Sequence, residues 1–129
     1  MKISGTMVKA LLNYVTAGYF DDHSEMPETA ADVADLVANM RIVAERSGDL
    51  PWLKLAIAHL IADEAEDPSR FAATATGLSA ADMRDLLYLV WEALFPGEAP
   101  PAPGEGPEVE LVPMTAEDWR AYRSSVYGD

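Results

Sequence analysis

The sequence contains no cysteine, only two histidines and no long apolar run. Without cysteine the chain can form neither a disulfide framework nor a thiolate metal site, a composition that fits a cytoplasmic protein. No apolar stretch approaches the ~20 residues that a membrane-spanning helix needs. Lys9, Asn13 and Thr16 interrupt the N-terminal segment, which therefore predicts a helix and not a signal peptide. We expect a cytoplasmic protein without a membrane partner.

Positive charge is also scarce. Nine lysines and arginines stand against 22 aspartates and glutamates, which gives a formal net charge of −13. A field of this sign repels phosphate backbones and attracts basic proteins. We therefore expect no direct nucleic-acid binding and a basic protein partner. The alternative is that the charge only keeps the protein soluble.

Apolar residues recur with helical spacing over residues 1–95, and the alternation typical of strands is nearly absent. The pattern predicts an all-α fold, a compact bundle of about four main helices forming one helical body. Thr29 with Asp32 has the capping-box pattern, and Ser79 is a typical N-cap, so both mark helix starts. The predicted helices lie at about 6–17, ending before Gly18, from Thr29 to Ser47, from Pro51 to about Glu66, at roughly 68–75, and from Ser79 to Phe95.

Each of these helices has an apolar stripe that we expect to face the core. The third helix is apolar nearly all round, which is typical of a central helix covered on several sides. The expected inward residues are Met7, Leu11, Tyr14 and Val15 in helix one, Val33, Leu36, Val37, Met40 and Ala44 in helix two, and Met83, Leu86, Leu87, Val90 and Leu94 in helix four.

Residues 96–113 contain six prolines and three glycines, a composition that predicts a Pro/Gly-rich linker in which residues 109–112 could add a short strand. Residues 114–129 then predict a short C-terminal helix, capped by Thr115 and carrying Trp119 and Tyr122. A helix of about ten residues is marginal alone in water, so it should dock on its own body or on a neighbouring protomer. Docking on a neighbour would make a homo-oligomer.

Helix four has a second apolar face, formed by Tyr88, Trp91 and Phe95. Such a face is either covered by the rest of the chain or exposed to a partner, since Trp and Tyr are enriched at binding hot spots. We expect the C-terminal helix to dock there. The aromatic residues of this face and of the tail are predicted partner-binding residues, together with the acids Asp32, Asp35, Asp63 and Glu66.

His59 and Asp63 are four residues apart and share one helix face, a spacing suited to two metal ligands. The same spacing also describes a simple ion pair at the end of a helix. Because only two histidines exist and no HExxH pattern occurs, we expect no metal and no cofactor.

Residues 71–89 have the spacing of a helix-turn-helix motif, but the second helix would present Asp82, Asp85 and Glu92 to DNA, with only Arg84 basic. Nucleotide-binding and nucleophile motifs are absent from the sequence. The sequence therefore predicts a non-enzymatic, acidic protein-binding module of the inhibitor or immunity type. The alternatives are a helical assembly or adaptor subunit of phage or secretion machinery, and a small metal-dependent enzyme using His59 and Asp63.

Overall fold

The computed structural model describes residues 1–73 and 76–128. Its chain is mostly helical, with five α-helices and two short strands in this described part, so the predicted all-α bundle is confirmed. None of the described helices is long and apolar enough to cross a membrane. The elements are β1 (Lys2–Ser4), α1 (Gly5–Phe20), a 3₁₀ helix (Ala30–Val33), α2 (Ala34–Ser47), α3 (Leu50–Ala62), a second 3₁₀ helix (Pro68–Phe71), α4 (Ala80–Leu94), β2 (Glu110–Val112) and α5 (Ala116–Tyr127).

Helix α1 is longer than predicted, because Gly18 lies inside it and does not end it. A Cβ at Gly18 would lie 2.9 Å from Leu36 Cδ2, so the missing side chain lets α1 approach α2 closely. The predicted inward face was partly wrong. Val8 and Leu12 are buried with Leu11 and Val15, whereas Tyr14 is exposed; the core face is rotated by about one residue from the predicted one.

The capping box of Thr29 and Asp32 is present, but it begins a 3₁₀ turn that continues into α2. The predicted stripe of α2 faces the core, with Leu36 half-buried and the others buried. Gly48 ends α2 in the left-handed conformation (φ 77°), which glycine adopts without the Cβ clash of other residues.

Helix α3 occupies the centre of the core, as its apolar composition predicts; Leu53, Ile57 and Leu60 have no exposed surface. It ends at Ala62 and not near Glu66 as expected. Asp63 turns to an extended conformation and its Oδ1 accepts a hydrogen bond from the Ala65 N–H (2.9 Å). The carboxylates that follow would oppose the negative end of the helix dipole, which favours an early end.

Of the short helix expected over 68–75, the described residues form the 3₁₀ turn Pro68–Phe71, and Ala72 is already extended. Residues 74 and 75 of the predicted range lie outside the described part of the chain. Helix α4 agrees with the prediction: Ser79 Oγ accepts the Asp82 N–H (3.1 Å), and the whole predicted stripe is buried.

The Pro/Gly-rich segment 96–113 packs along the body. The Gly104 N–H donates to the Ala62 carbonyl (2.8 Å), and Gly106 lies so close to α3 that a Cβ would be 2.6 Å from Ala62 Cβ. Beyond it, β2 pairs in parallel with β1, with Ile3 opposite Leu111. The chain thus returns to its own N-terminal strand before α5 begins.

Candidate protein-binding surfaces

Five of the nine lysine and arginine side chains contact polar groups of the described part of the molecule. Arg84, for example, donates to the backbone carbonyls of Leu60 (3.3 Å) and Glu66 (2.9 Å). Because the sequence has 22 acids and nine bases, pairing of the bases within the chain leaves most of the negative charge uncompensated. Among the described residues, four lysine or arginine side chains pair with carboxylates: Arg41 with Glu45, Lys54 with Glu98, Arg70 with Glu66, and Arg123 with Asp49.

One concentration of acids lies in the connection between α1 and α2, which we call the acidic loop: Asp21, Asp22, Glu25, Glu28 and Asp32. All five residues are exposed. Asp35, in the first turn of α2, is exposed beside them. The loop therefore presents a dense negative surface at one end of the helix pair.

Asp32 of the acidic loop also has a structural role. The Asp32 carboxylate accepts the backbone N–H groups of Thr29 (3.0 Å) and Glu28 (2.9 Å), and these hydrogen bonds lower its pKa. Neighbouring Tyr19 is nearly buried, and desolvation, then the charges of Asp32, Glu28 and Glu25, raise the pKa of its phenol. The His23 ring stacks on Tyr19 at 4.1 Å. Asp32 is thus a helix cap as well as a predicted binding residue.

The second acidic stretch follows α3 and contains the predicted binding residues Asp63 and Glu66. Glu66 is half-buried and paired with Arg70 (3.2 Å), so its charge is partly compensated. Asp67 caps the following 3₁₀ helix through the Ser69 N–H and hydroxyl, and these hydrogen bonds lower its pKa. Glu64 is exposed. The charge available to a partner at this end of α3 is therefore mainly that of Asp63 and Glu64.

His59 is buried at 6% exposure, and its Nε2 lies 3.9 Å from Asp63 Oδ2. Its Nδ1 is 3.2 Å from the carbonyl oxygen of Pro107 in the Pro/Gly-rich segment. A groove of about 750 Å³ opens beside this pair. Within the described ranges, His, Asp and Glu side chains form no group of three or more with the arrangement of a metal site.

The aromatic face of α4 is partly covered by the chain itself. Trp91 is 4% exposed, and its Nε1 donates to the Glu98 carbonyl oxygen (2.8 Å). The Lys54 ammonium lies 4.8 Å from the centre of the Phe95 ring, within cation–π distance. Tyr88 and Phe95 remain half-buried and line a groove of about 410 Å³. Of the three aromatic residues of this face, Tyr88 and Phe95 therefore keep accessible surface.

Helix α5 docks on its own chain, but not on the face of α4 that we expected. Trp119 is 3% exposed; its ring meets Trp52 edge-on at the start of α3, with the ring centres 6.0 Å apart. Tyr127 stacks on the same Trp52 (4.5 Å), and its hydroxyl donates to the Lys2 carbonyl. Tyr122 is half-buried beside Tyr127. The predicted tail residues thus form an aromatic cluster with α3.

A buried polar group explains this docking position. Asp49 Oδ1 accepts the Trp119 indole N–H (2.8 Å) and a guanidinium N–H of Arg123, while Oδ2 accepts the Ser47 hydroxyl (2.6 Å). Asp49 and Arg123 are each 8% exposed. Buried charges need partners of this kind, so the carboxylate before α3 fixes where α5 can dock. From the sequence, Arg123 was one of two tail arginines that favour docking on the acidic body, but its partner Asp49 was not predicted.

Comparison of the chain with models of known protein families, with curated proteins and with solved structures finds no match.

Proposed function

We propose that this protein is a non-enzymatic, acidic protein-binding module that covers a basic surface of a partner protein in the cytoplasm, as inhibitors and immunity-type proteins do. The observation that carries the proposal is the distribution of charge. Four of the chain's nine bases, Arg41, Lys54, Arg70 and Arg123, pair with its own carboxylates, while the acidic loop and the end of α3 keep exposed carboxylates. Surfaces of this kind attract basic proteins over distances near the Debye length.

The aromatic residues contribute less to this proposal than the sequence suggested. Trp91 and Trp119 are buried within the chain and are not free anchors. Tyr88 and Phe95 remain as a partly exposed apolar groove, and Glu92 and Glu98 line it too. A basic partner segment with an apolar side chain would suit that groove.

The alternative of an assembly subunit linked through its tail has weaker support. Trp119 and Arg123 are already buried against the same chain, so exchange of α5 between protomers would first have to break those contacts. The alternative of a metal-dependent enzyme has only His59 and Asp63 to support it, and their nearest side-chain atoms are 3.9 Å apart.

The proposal is tested by measuring association rates with a partner purified after affinity capture from the native host. Replacing Asp22, Glu25 and Asp35 by their amides removes three charges from one surface without touching the Asp32 cap. We expect association to slow by about tenfold and dissociation to change little, because rim charges act on the encounter. The wild-type affinity should also fall as salt rises.

The matched control removes the same charge elsewhere. Asp82, Asp85 and Glu117 are exposed on α4 and α5, and their amide variant has the same net charge as the test variant. It should associate at a rate close to that of the wild type. A partner whose affinity is the same at low and high salt would refute the electrostatic proposal.

A further inference from the structure

The groove beside His59 combines exposed carboxylates with a buried histidine side chain. It lies between the end of α3 and residues 103–110 and has a volume of about 750 Å³. Several carboxylates line it, and no described lysine or arginine side chain does. Of the described groups there, only the Met1 amino group is cationic, and it donates to the Glu108 carbonyl oxygen (3.4 Å). The lining carboxylates are Asp63, Glu64, Glu108 and Glu110.

His59 provides a second, independent observation. Its side chain is only 7% exposed, and Nδ1 lies 3.2 Å from the Pro107 carbonyl oxygen. Because a carbonyl can only accept, the neutral ring must carry its hydrogen on Nδ1, and Nε2 then presents a lone pair. In the described chain no group hydrogen-bonds to Nε2, since the nearest carboxylate oxygen, Asp63 Oδ2, is 3.9 Å away. A side chain that is more than nine-tenths buried and lines the groove therefore has an acceptor without a donor among the described residues.

All the side-chain polar groups of the groove are consequently acceptors when the histidine is neutral. A ligand that satisfies them must be cationic and must bring several N–H groups. The guanidinium group of arginine has five donors in one plane and a permanent charge, whereas the lysine ammonium has three donors around a point. The planar group can reach the imidazole and a carboxylate at the same time.

We propose that this groove binds the guanidinium group of an arginine side chain presented by the basic partner. The inference rests on the proposed function, because it names the partner group that one acidic surface would hold. In this proposal His59 Nε2 and Asp63 accept its N–H groups, and Glu108 and Glu110, which also line the groove, add negative charge.

The experiment uses the full chain and a five-residue peptide, acetylated and amidated, with one central arginine between glycines. The signal is the side-chain nitrogen resonance of His59, followed by NMR at a pH well above the ordinary imidazole pKa of about 6.5. We expect a saturable shift of Nε2, while exposed His23 stays unchanged. Asp63→Asn and Glu108→Gln should each weaken binding by about tenfold. Both sites have exposed surface, so these variants should keep the fold, which the amide spectrum checks.

The controls test whether binding depends on the charge of the peptide side chain, on its shape, and on the position of the site in the protein. The same peptide with citrulline, which is nearly isosteric but uncharged, should not bind, and the lysine peptide should bind at least about tenfold more weakly. Equal binding of either peptide would overturn the guanidinium assignment, as would a Glu25→Gln variant that weakens binding as much as Asp63→Asn.

Failure of this inference is distinguishable from failure of the proposed function. Shifts confined to the acidic loop, with His59 unchanged, would overturn the groove and leave the charge-driven function standing. Specific binding at His59 combined with salt-independent partner binding would instead overturn the proposed function and the assignment of the arginine to that partner.

Discussion

The contact between Asp49 and Arg123 gives the sharpest test of how the fold is held together. Arg123→Ala leaves the Asp49 carboxylate at a position where only 11% of its side chain is exposed. Breaking a buried ion pair by removing one partner typically costs about 3–5 kcal/mol. Asp49 would keep its hydrogen bonds from Trp119 and Ser47, so we expect the lower end, about 3 kcal/mol.

The free energy of unfolding that Arg123→Ala can lose has an upper limit, because Arg123 lies on a terminal helix. If α5 detaches, water reaches Asp49 and removes the penalty, so the measured loss cannot exceed the free energy with which α5 docks. The two cases are distinguishable. Amide hydrogen exchange across Ala116–Tyr127 becomes fast in the core-folded protein if α5 is released, whereas uniform destabilisation lowers protection everywhere.

The assay is urea unfolding followed by tryptophan fluorescence, with hydrogen exchange on the same samples. Arg120→Ala is the matched control, because Arg120 is exposed on the same helix, and its unfolding free energy should change by less than about 0.5 kcal/mol. The double variant with Asp49→Ala should lose less than the sum of the two single variants. If Arg123→Ala behaves as Arg120→Ala does, with α5 still protected, the ion pair does not hold the tail.

Two further predictions concern a cap and two glycines. Backbone hydrogen bonds lower the pKa of Asp32, so its contribution to stability is present above the unfolded pKa of about 3.9 and is lost as the pH falls through the folded value. Urea unfolding at several pH values should therefore show that Asp32→Ala destabilises at neutral pH but much less in acid; an equal loss at both pH values would contradict this. Gly106→Ala places a Cβ 2.6 Å from Ala62 and should lower the free energy of unfolding by about 1–3 kcal/mol. Gly18→Ala meets only a flexible leucine end at 2.9 Å and should cost less in the same assay; the reverse order would refute the packing argument.

Local signals in the sequence predicted the helix starts well. The hydroxyls of Ser79 and Thr115 each accept the backbone N–H three residues on, as the capping pattern requires. Such signals are readable because the interacting groups lie within one turn. Helix ends were harder to predict, since Gly18 serves helix packing and Asp63 begins a turn. Both helix ends depend on contacts with other parts of the chain, which the local sequence pattern does not contain.

Long-range contacts explain the rest of the differences. Asp49 and Trp119 are 70 positions apart, and nothing in the sequence near Asp49 distinguishes it from other acids before a helix. Strand β1 has three residues, too few for a periodic pattern, and it forms only because β2 returns to it. The His59 groove was predicted only in part. The spacing of His59 and Asp63 suggested a site, but Glu108 was not included, because it comes from a segment expected to be a linker.

The chain's own ion pairs differ in how easily a partner could replace them, and that difference bears on where a basic surface can bind. Lys54–Glu98 and Arg41–Glu45 are largely exposed, and pairs of this kind contribute about 0–1 kcal/mol. A partner cation could take over Glu98 or Glu45 at little cost. Asp49 is different, because its buried contacts hold α5 in place and would have to break first. A basic partner should therefore recruit the exposed acids and leave α5 docked, so that binding raises the hydrogen-exchange protection of the acidic loop without exposing Trp119.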